Sequence, residues 1–301
     1  MSVPSFTLVQ LRYFAAAVEH GSMTAAARQL VVSQSAVSTA IAQLEKELGV
    51  QLLLRRHARG LVPTAAGHEF YQELRGFLAH AAELEESARN AAGAMVGRLS
   101  VGCFSTLAPF RLPALLTEFE RRYPEVRVQI AEAEHAHLKQ ALREGACELA
   151  LMYGYDLDDD IGRIAVAESM PYVIVSAEHP LAGNKRIWLR ELADDPMVLL
   201  DLPHTTGYFT SLVGSVGLQP RIRFRSPGYE TVRALVAHGH GYALLNQRPR
   251  EETTYDGATA VALELRDDLP ALEIVVAWMR GVRLTRRAEA FVTLARELHA
   301  L

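Results

Sequence analysis

The sequence predicts an α/β protein in three parts: a small helical head, one long helix, and a larger body of alternating strands and helices. Three observations predict it. Apolar residues recur at helical spacing through residues 8–48, and a heptad-like run follows along residues 65–94. From residue 97 onward, short apolar runs alternate with helical stretches.

In the head, Leu8, Leu11, Phe14, Ala15 and Val18 share one helical face, and Gly21 ends that helix. Ser22 caps a short second helix, Met23 to Leu30. After the tight link Val31–Val32, Ser33 caps a third helix running to about Leu48, with Gly49 at its end. On that helix Ala36, Val37, Ala40, Ile41, Leu44 and Leu48 are expected to turn inward. Gln34, Ser35, Ser38, Thr39 and Gln43 stay outside. Val50–Leu54 and Leu61–Val62 flank the basic turn Arg55, Arg56, His57, Ala58, Arg59, Gly60, which reads as a β-hairpin.

From Ala65 to about Ala94, Phe70, Leu74, Phe77, Ala81 and Leu84 recur every three or four residues. A lone helix of that length packed on nothing would be marginal. Pairing with the same helix of a second subunit is therefore expected, with Gly93 and Gly97 as the hinge beyond it. In the body, Leu99–Phe104, Val126–Glu132, Leu149–Tyr153, Tyr172–Ser176, Met197–Asp201, Ile222–Arg225, Ala243–Leu245 and Glu273–Trp278 read as strands. The alternation predicts largely parallel sheets in two subdomains, joined by crossing strands near 164–170 and 264–272, with a cleft between them. The expected boundaries are 1–66 for the head, 67–94 for the linker helix and 97–301 for the body. The body divides into 97–166 with 268–301, and 167–267.

Composition narrows the function. Half of the 301 residues are hydrophobic and 22% are charged. No apolar run approaches the length of a membrane span, and residues 1–7 lack the pattern of a secretory signal, so no membrane partner and a cytoplasmic location are expected. The net charge of −4 hides an asymmetry: residues 1–66 sum to +3, leaving −7 for the rest. A basic head on an acidic body predicts that only the head meets phosphate.

The third helix and the hairpin suit double-stranded DNA. A second helix of a helix-turn-helix fits the major groove, where Gln34 can pair bidentately with adenine. Ser33, Ser35, Ser38, Thr39 and Gln43 can reach bases or phosphates, while Arg55, Arg56 and Arg59 suit phosphate or minor-groove contacts.

These residues carry a resemblance. Phe14 and Val18, Gly21-Ser22, Thr24-Ala25-Ala26-Ala27, Leu30 and Ser33-Gln34-Ser35-Ala36-Val37-Ser38 match the head of LysR-type regulators. So do Ile41, Leu44-Glu45, Leu48-Gly49, Leu52, Arg55 and Thr64-Ala65-Ala66-Gly67. Leu53 and Pro63 depart, standing where the family usually has Phe and Leu. The resemblance implies a winged helix-turn-helix, a linker helix that dimerises and a periplasmic-binding-protein-like effector domain. It also implies assembly into a homodimer or homotetramer, and RNA polymerase as a further partner.

In such a domain the ligand lies between two lobes, where helix N-termini favour an anion. Phe104, Ser105 and Thr106 form the first expected ligand element. Glu134 and His135 form the second, although the family often carries Ser or Thr there. From the other lobe Pro203, His204, Thr205 and Thr206 are expected at the cleft, with Tyr229 and Asn246. A small-molecule effector is expected and no cofactor.

Two other classes find less support. An enzyme would need a nucleophile or phosphate motif, and no GxSxG, P-loop, GxGxxG-to-helix or HExxH pattern occurs. A solute-binding protein would not need the basic head. His135, His137, His238 and His240 match no zinc spacing, and the acidic stretch 155–160 lacks the glycine and glutamate of a calcium loop. Cys103 and Cys147 read as buried thiols, the alternative being a redox pair like that of peroxide-sensing relatives.

Overall fold

A computed structural model describes residues 6–56, 60–89, 95–203 and 205–299. The head contains α1 (Leu8–His20), α2 (Met23–Leu30), α3 (Gln34–Leu48), β1 (Leu53–Arg56) and β2 (Gly60–Pro63). Each helix begins on a hydroxyl that accepts a main-chain N–H. Thr7 takes that of Gln10 at 3.2 Å, Ser22 that of Ala25 at 3.3 Å, and Ser33 that of Ala36 at 3.1 Å. Such caps contribute about 1 kcal/mol each. Two of the helices end on left-handed glycines, Gly21 and Gly49. The turn between α2 and α3 instead uses Val31 at φ 57°, where a β-branched residue is strained and 90% exposed.

On α3 Val37, Ile41 and Leu44 are buried, but Ala36 is exposed and Ala40 and Leu48 are only half-buried. The expected inward stripe is therefore too wide by one residue, and Ala36 belongs to the outer face. The hairpin is fixed to α3 by Glu45, whose carboxylate accepts the N–H groups of Leu52 and Leu53 at 2.8 and 2.9 Å.

The long helix is α4 (Ala65–Arg89), started by Thr64, whose hydroxyl accepts the Gly67 N–H at 2.9 Å. Its first turn lies so close to the hairpin that a Cβ on Gly67 would stand 1.9 Å from the Leu52 carbonyl oxygen. Only glycine fits there. Phe70 and Tyr71 pack on Phe14, with ring centroids 5.5 and 6.4 Å away. Farther along, Phe77 and Leu84 are 53% and 74% exposed. Residues 90–94, and with them Gly93 of the expected hinge, lie outside the described residues.

The body has two lobes. The first is a five-stranded sheet in the order β4-β3-β5-β13-β6, built from β3 (Gly97–Phe104), β4 (Val126–Ala133), β5 (Leu149–Tyr153), β6 (Ile161–Ser169) and β13 (Leu272–Met279). Helices α5 (Ala108–Arg122), α6 (His135–Glu144) and α9 (Arg286–His299) complete it. The second contains β7 (Tyr172–Ser176), β8 (Arg186–Ile187), β9 (Pro196–Leu200), β10 (Arg221–Ser226), β11 (Ala243–Leu245) and β12 (Ala260–Leu265). Helices α7 (Thr205–Ser215) and α8 (Tyr229–Ala237) lie with these strands. A bridge between Met197 and Tyr242 joins the β9–β10 pair to the four-stranded β11-β7-β12-β8 sheet. One contiguous core fills the body, with Phe104, Phe119, Leu138 and Phe291 fully buried. The head has its own.

The structure corrects three expectations. The sheets are mixed, because β13 runs antiparallel to β5 and β6, and β7 antiparallel to β11 and β12. β8 was not expected as a strand, β6 and β12 were expected only in part, and the crossing strand expected near 264–272 is irregular between the end of β12 and the start of β13. The division at 166/167 falls inside β6, whose Ala167, Glu168 and Ser169 still pair with Ile274, Glu273 and Leu272 of β13. The chain crosses between lobes after Ser169 and again before Leu272.

Candidate functional site

The outer surface of α3 follows from which side of it is packed. Gln34, Ser35, Thr39 and Gln43 are exposed and Ser38 is half-buried. They do not stand equal. The Ser33 hydroxyl caps the helix and lies 3.0 Å from that of Ser35, while the Gln43 amide donates to Glu47 at 3.1 Å. Gln34 opens α3, and its first turn carries the positive end of the helix dipole. Arg55 and Arg56 occupy β1. The side chains of those two, and the whole of Arg59, lie outside the described residues.

Between the lobes, Thr106, Tyr153, Tyr155, Thr205, Tyr208, Tyr229, Asn246 and Gln247 line a cleft with Leu200, Phe209 and Leu272. Three helix starts supply part of it: Thr106 just before α5, Thr205 opening α7 and Tyr229 opening α8. The free space is about 20 Å³, room for roughly one water. A larger ligand needs the lobes or the lining side chains to move apart. Gln247 braces this closed arrangement. It is 4% exposed, its side-chain amide donates to the Tyr153 hydroxyl at 3.3 Å and to Ser169 Oγ at 2.9 Å, and its main-chain carbonyl accepts the Tyr172 hydroxyl at 2.7 Å.

Of the residues expected at the cleft, Thr106, Thr205, Tyr229 and Asn246 line it. The others are engaged elsewhere. Phe104 is fully buried against Tyr153 and His135, at 5.5 and 6.3 Å between ring centroids. His135 is fully buried too, stacked on Tyr155 at 4.8 Å, with its Nε2 3.3 Å from the Tyr153 carbonyl oxygen. Ser105 donates to Glu134 at 3.0 Å, and Thr206 donates to Asp201. Pro203 is an exposed turn residue, and His204 lies outside the described residues. Thr205 faces the cleft with its hydroxyl already occupied: it accepts from Leu202 N–H and donates to Leu200 O, both at 2.9 Å.

Tyr153, Tyr155 and Tyr208 were missed because an isolated aromatic in a sequence reads as core. Burial, the largest cause in each case, pushes the Tyr153 phenol up to about 12 and raises those of Tyr155, Tyr208 and Tyr229. All four are neutral hydroxyls at ordinary pH. None is poised as an acid or base near neutrality.

Cys103 and Cys147 are 0% and 2% exposed, and burial pushes both thiols above the usual range. The thiolate is the reactive species. In the native protein neither cysteine should react with iodoacetamide at pH 7, while the denatured chain should take up two equivalents. Rapid native labelling, followed by mass spectrometry, would contradict this burial.

Among the described residues, no group of three or more His, Cys, Asp or Glu side chains could hold a metal ion. His238 lies 2.8 Å from Asp256, and the His240 ring meets the edge of Phe224 at 5.3 Å. The acidic turn is an ion-paired one, with Lys139 and Arg143 of α6 reaching Asp156, Asp158 and Asp160 at 2.5–3.5 Å. No helix among the described residues is long and apolar enough to cross a membrane.

Comparison with known proteins agrees with this architecture. The profile of the bacterial regulatory helix-turn-helix protein, LysR family, matches residues 8–68, and that of the LysR substrate binding domain matches residues 92–300. HinK, a LysR family transcriptional regulator from Pseudomonas aeruginosa, is 37% identical, with a TM-score of 0.67 over 99% of this chain and 100% of that one. A Mycobacterium leprae protein named a probable hydrogen peroxide-inducible genes activator is 32% identical over 80% of this chain and 78% of its own. Full-length CbnR, solved with its target DNA, is 26% identical with a TM-score of 0.58, covering 97% of this chain and 99% of that one. The chain belongs to the LysR family of DNA-binding transcriptional regulators, with a helix-turn-helix head and a LysR substrate binding domain.

Proposed function

We propose that the protein is a cytoplasmic, non-enzymatic regulator in which a small anionic metabolite, held between the lobes, changes how α3 and the hairpin grip operator DNA. The observation that carries this reading is the split face of α3. Val37, Ile41 and Leu44 are sunk in the head's core while Gln34, Ser35 and Thr39 stand in solvent. A polar face kept clear of its own domain is what groove entry requires. The CbnR complex gives a relative of the same family on DNA.

The anion is favoured by the three helix starts at the cleft, since main-chain N–H groups and helix dipoles attract negative charge. Among the described residues no Lys or Arg lines the space, so those N–H groups and the phenol hydroxyls would carry the recognition. The absence of a group titrating near neutrality among the cleft tyrosines speaks for binding over turnover. A ligand can bias the lobes only by its differential affinity for the closed and open arrangements.

For α4, the exposed Phe77 and Leu84 support a homodimer through this helix, with a homotetramer as the further assembly. Contact with RNA polymerase would then pass the signal on. The peroxide in a relative's name does not carry over readily, because both thiols here are buried and protonated.

The test is operator binding by the full chain. Footprinting upstream of the protein's own gene should find a protected site. Gln34→Ala should lose about 1–3 kcal/mol at that site, with little change on unrelated DNA. Equal loss on every sequence, or no protected site at low or high salt, would overturn the reading.

A further inference from the structure

A second cavity, of about 270 Å³, lies where the head, the linker helix and the first lobe meet. Its charged lining is Glu19 from α1, Arg75 from α4, and Arg98, Glu148, Arg283 and Arg287 from the first lobe. The walls are built rather than incidental. Arg75 donates to the Arg143 and Leu142 carbonyls at 2.7 and 3.2 Å, closing the C-terminal end of α6. The contact is so close that a Cβ on Gly145 would lie 1.7 Å from the Arg75 guanidinium. Arg75 also sits over the Tyr71 ring at 5.9 Å, and the Tyr71 hydroxyl donates to Glu19 at 3.2 Å. A continuous line of contacts thus runs from α6 through α4 to the head.

The charges do not cancel. Four guanidinium groups face two carboxylates, an excess of two positive charges. Both carboxylates have other partners: Glu19 accepts from Tyr71, and Glu148 accepts from the Thr285 hydroxyl and N–H. Arg287, 6% exposed, donates to the Val96 carbonyl at 3.3 Å. Among the described residues the side chains of Arg98 and Arg283 make no hydrogen bond or ion pair.

We propose that this junction is a second ligand site, separate from the interlobe cleft, in which Arg98 and Arg283 hold a small doubly charged oxyanion, inorganic phosphate or a phosphate monoester. Two guanidinium groups match a dianion in both charge and hydrogen-bond geometry, and partial enclosure strengthens the attraction over that at an open surface. The cavity is large enough for a small ester beyond the phosphoryl group. Because α1 and α4 form one wall and the first lobe the other, an occupied site ties the head and linker to the lobe. The head's disposition would then respond to phosphate independently of the cleft.

The experiment is calorimetric titration of the full-length protein with inorganic phosphate, then glycerol 3-phosphate, at constant ionic strength set with sodium chloride. Saturable binding is expected in the wild type. It should weaken at least about tenfold in the Arg98→Gln/Arg283→Gln double variant and stay unchanged in Thr106→Val, which alters only the cleft. Both arginines are exposed, and an unshifted melting temperature will show that the double variant is folded. No saturable binding below about 10 mM, or undiminished binding in the double variant, overturns the proposal. Loss in Thr106→Val instead would place the anion in the cleft and also overturn it, while leaving the cleft reading intact.

Discussion

Phe14→Ala is expected to unfold the head at denaturant concentrations that leave the body native. Phe14 is fully buried, with Phe70 and Tyr71 of α4 against its ring, and shares one core with Leu11, Val37, Ile41, Leu44, Leu52 and Leu74. Truncating such a ring costs about 3–5 kcal/mol. That is a large part of what a domain of this size has to lose. The head's core is separate from the body's, so the loss should stay local. Both tryptophans, Trp188 and Trp278, lie in the body, so their fluorescence follows the body alone. Operator binding follows the head. In the variant, operator affinity should vanish at a lower urea concentration than in the wild type, while the tryptophan transition stays put. A parallel shift of both would show that head and body melt as one cooperative unit.

This separability also explains why the head was the most legible part of the sequence. Its caps are hydroxyls and glycines at positions fixed by local rules: Thr7, Ser22 and Ser33 at the starts, Gly21 and Gly49 at the ends. Its apolar stripes are short and close in sequence. On α3, Ala36 was turned the wrong way, because alanine is small enough to sit on either face. The strands with all-buried patterns, such as β5 and β7, were equally plain. β12 and β8 were not, since β12 is alanine-rich and β8 is two residues long, and both are strands only because neighbours pair with them.

The cleft was legible at its helix starts and at Asn246, which follows β11. Thr106, Thr205 and Tyr229 are marked by their place before or at a helix N-terminus, a local signal. Tyr153 and Tyr155, Tyr208 and Gln247 reach the same space from three segments far apart in sequence, and no spacing rule joins them. Glu134 and His135 were drawn in by their chemistry, whereas the structure engages Glu134 with Ser105 and packs His135 against Tyr155. Polar type alone did not distinguish a lining residue from one that is already bonded.

The same long-range pairing makes Gly241 the most sensitive point in the second lobe. Its φ is +134°, a conformation side chains rarely adopt, and a Cβ there would lie 2.0 Å from the Pro196 carbonyl oxygen. That oxygen cannot retreat cheaply. It accepts the Tyr242 N–H at 3.0 Å, while Tyr242 O accepts the Val198 N–H at 2.8 Å, and these bonds attach β9 to the sheet beside β11. Gly241→Ala therefore combines backbone strain of about 1–3 kcal/mol with an overpacking cost of about 1–3 kcal/mol. The body's melting temperature should fall by about 10 °C. Amide exchange should rise first along β9, β10 and β11, and the end of β9 with the start of α7, which supply Leu200 and Thr205 to the cleft, should loosen with them. Operator affinity at low temperature should survive, because the head's core is untouched. A melting temperature within about 1 °C of wild type would mean that β9 can move aside freely. A lobe so compliant could not hold the cleft closed through Gln247.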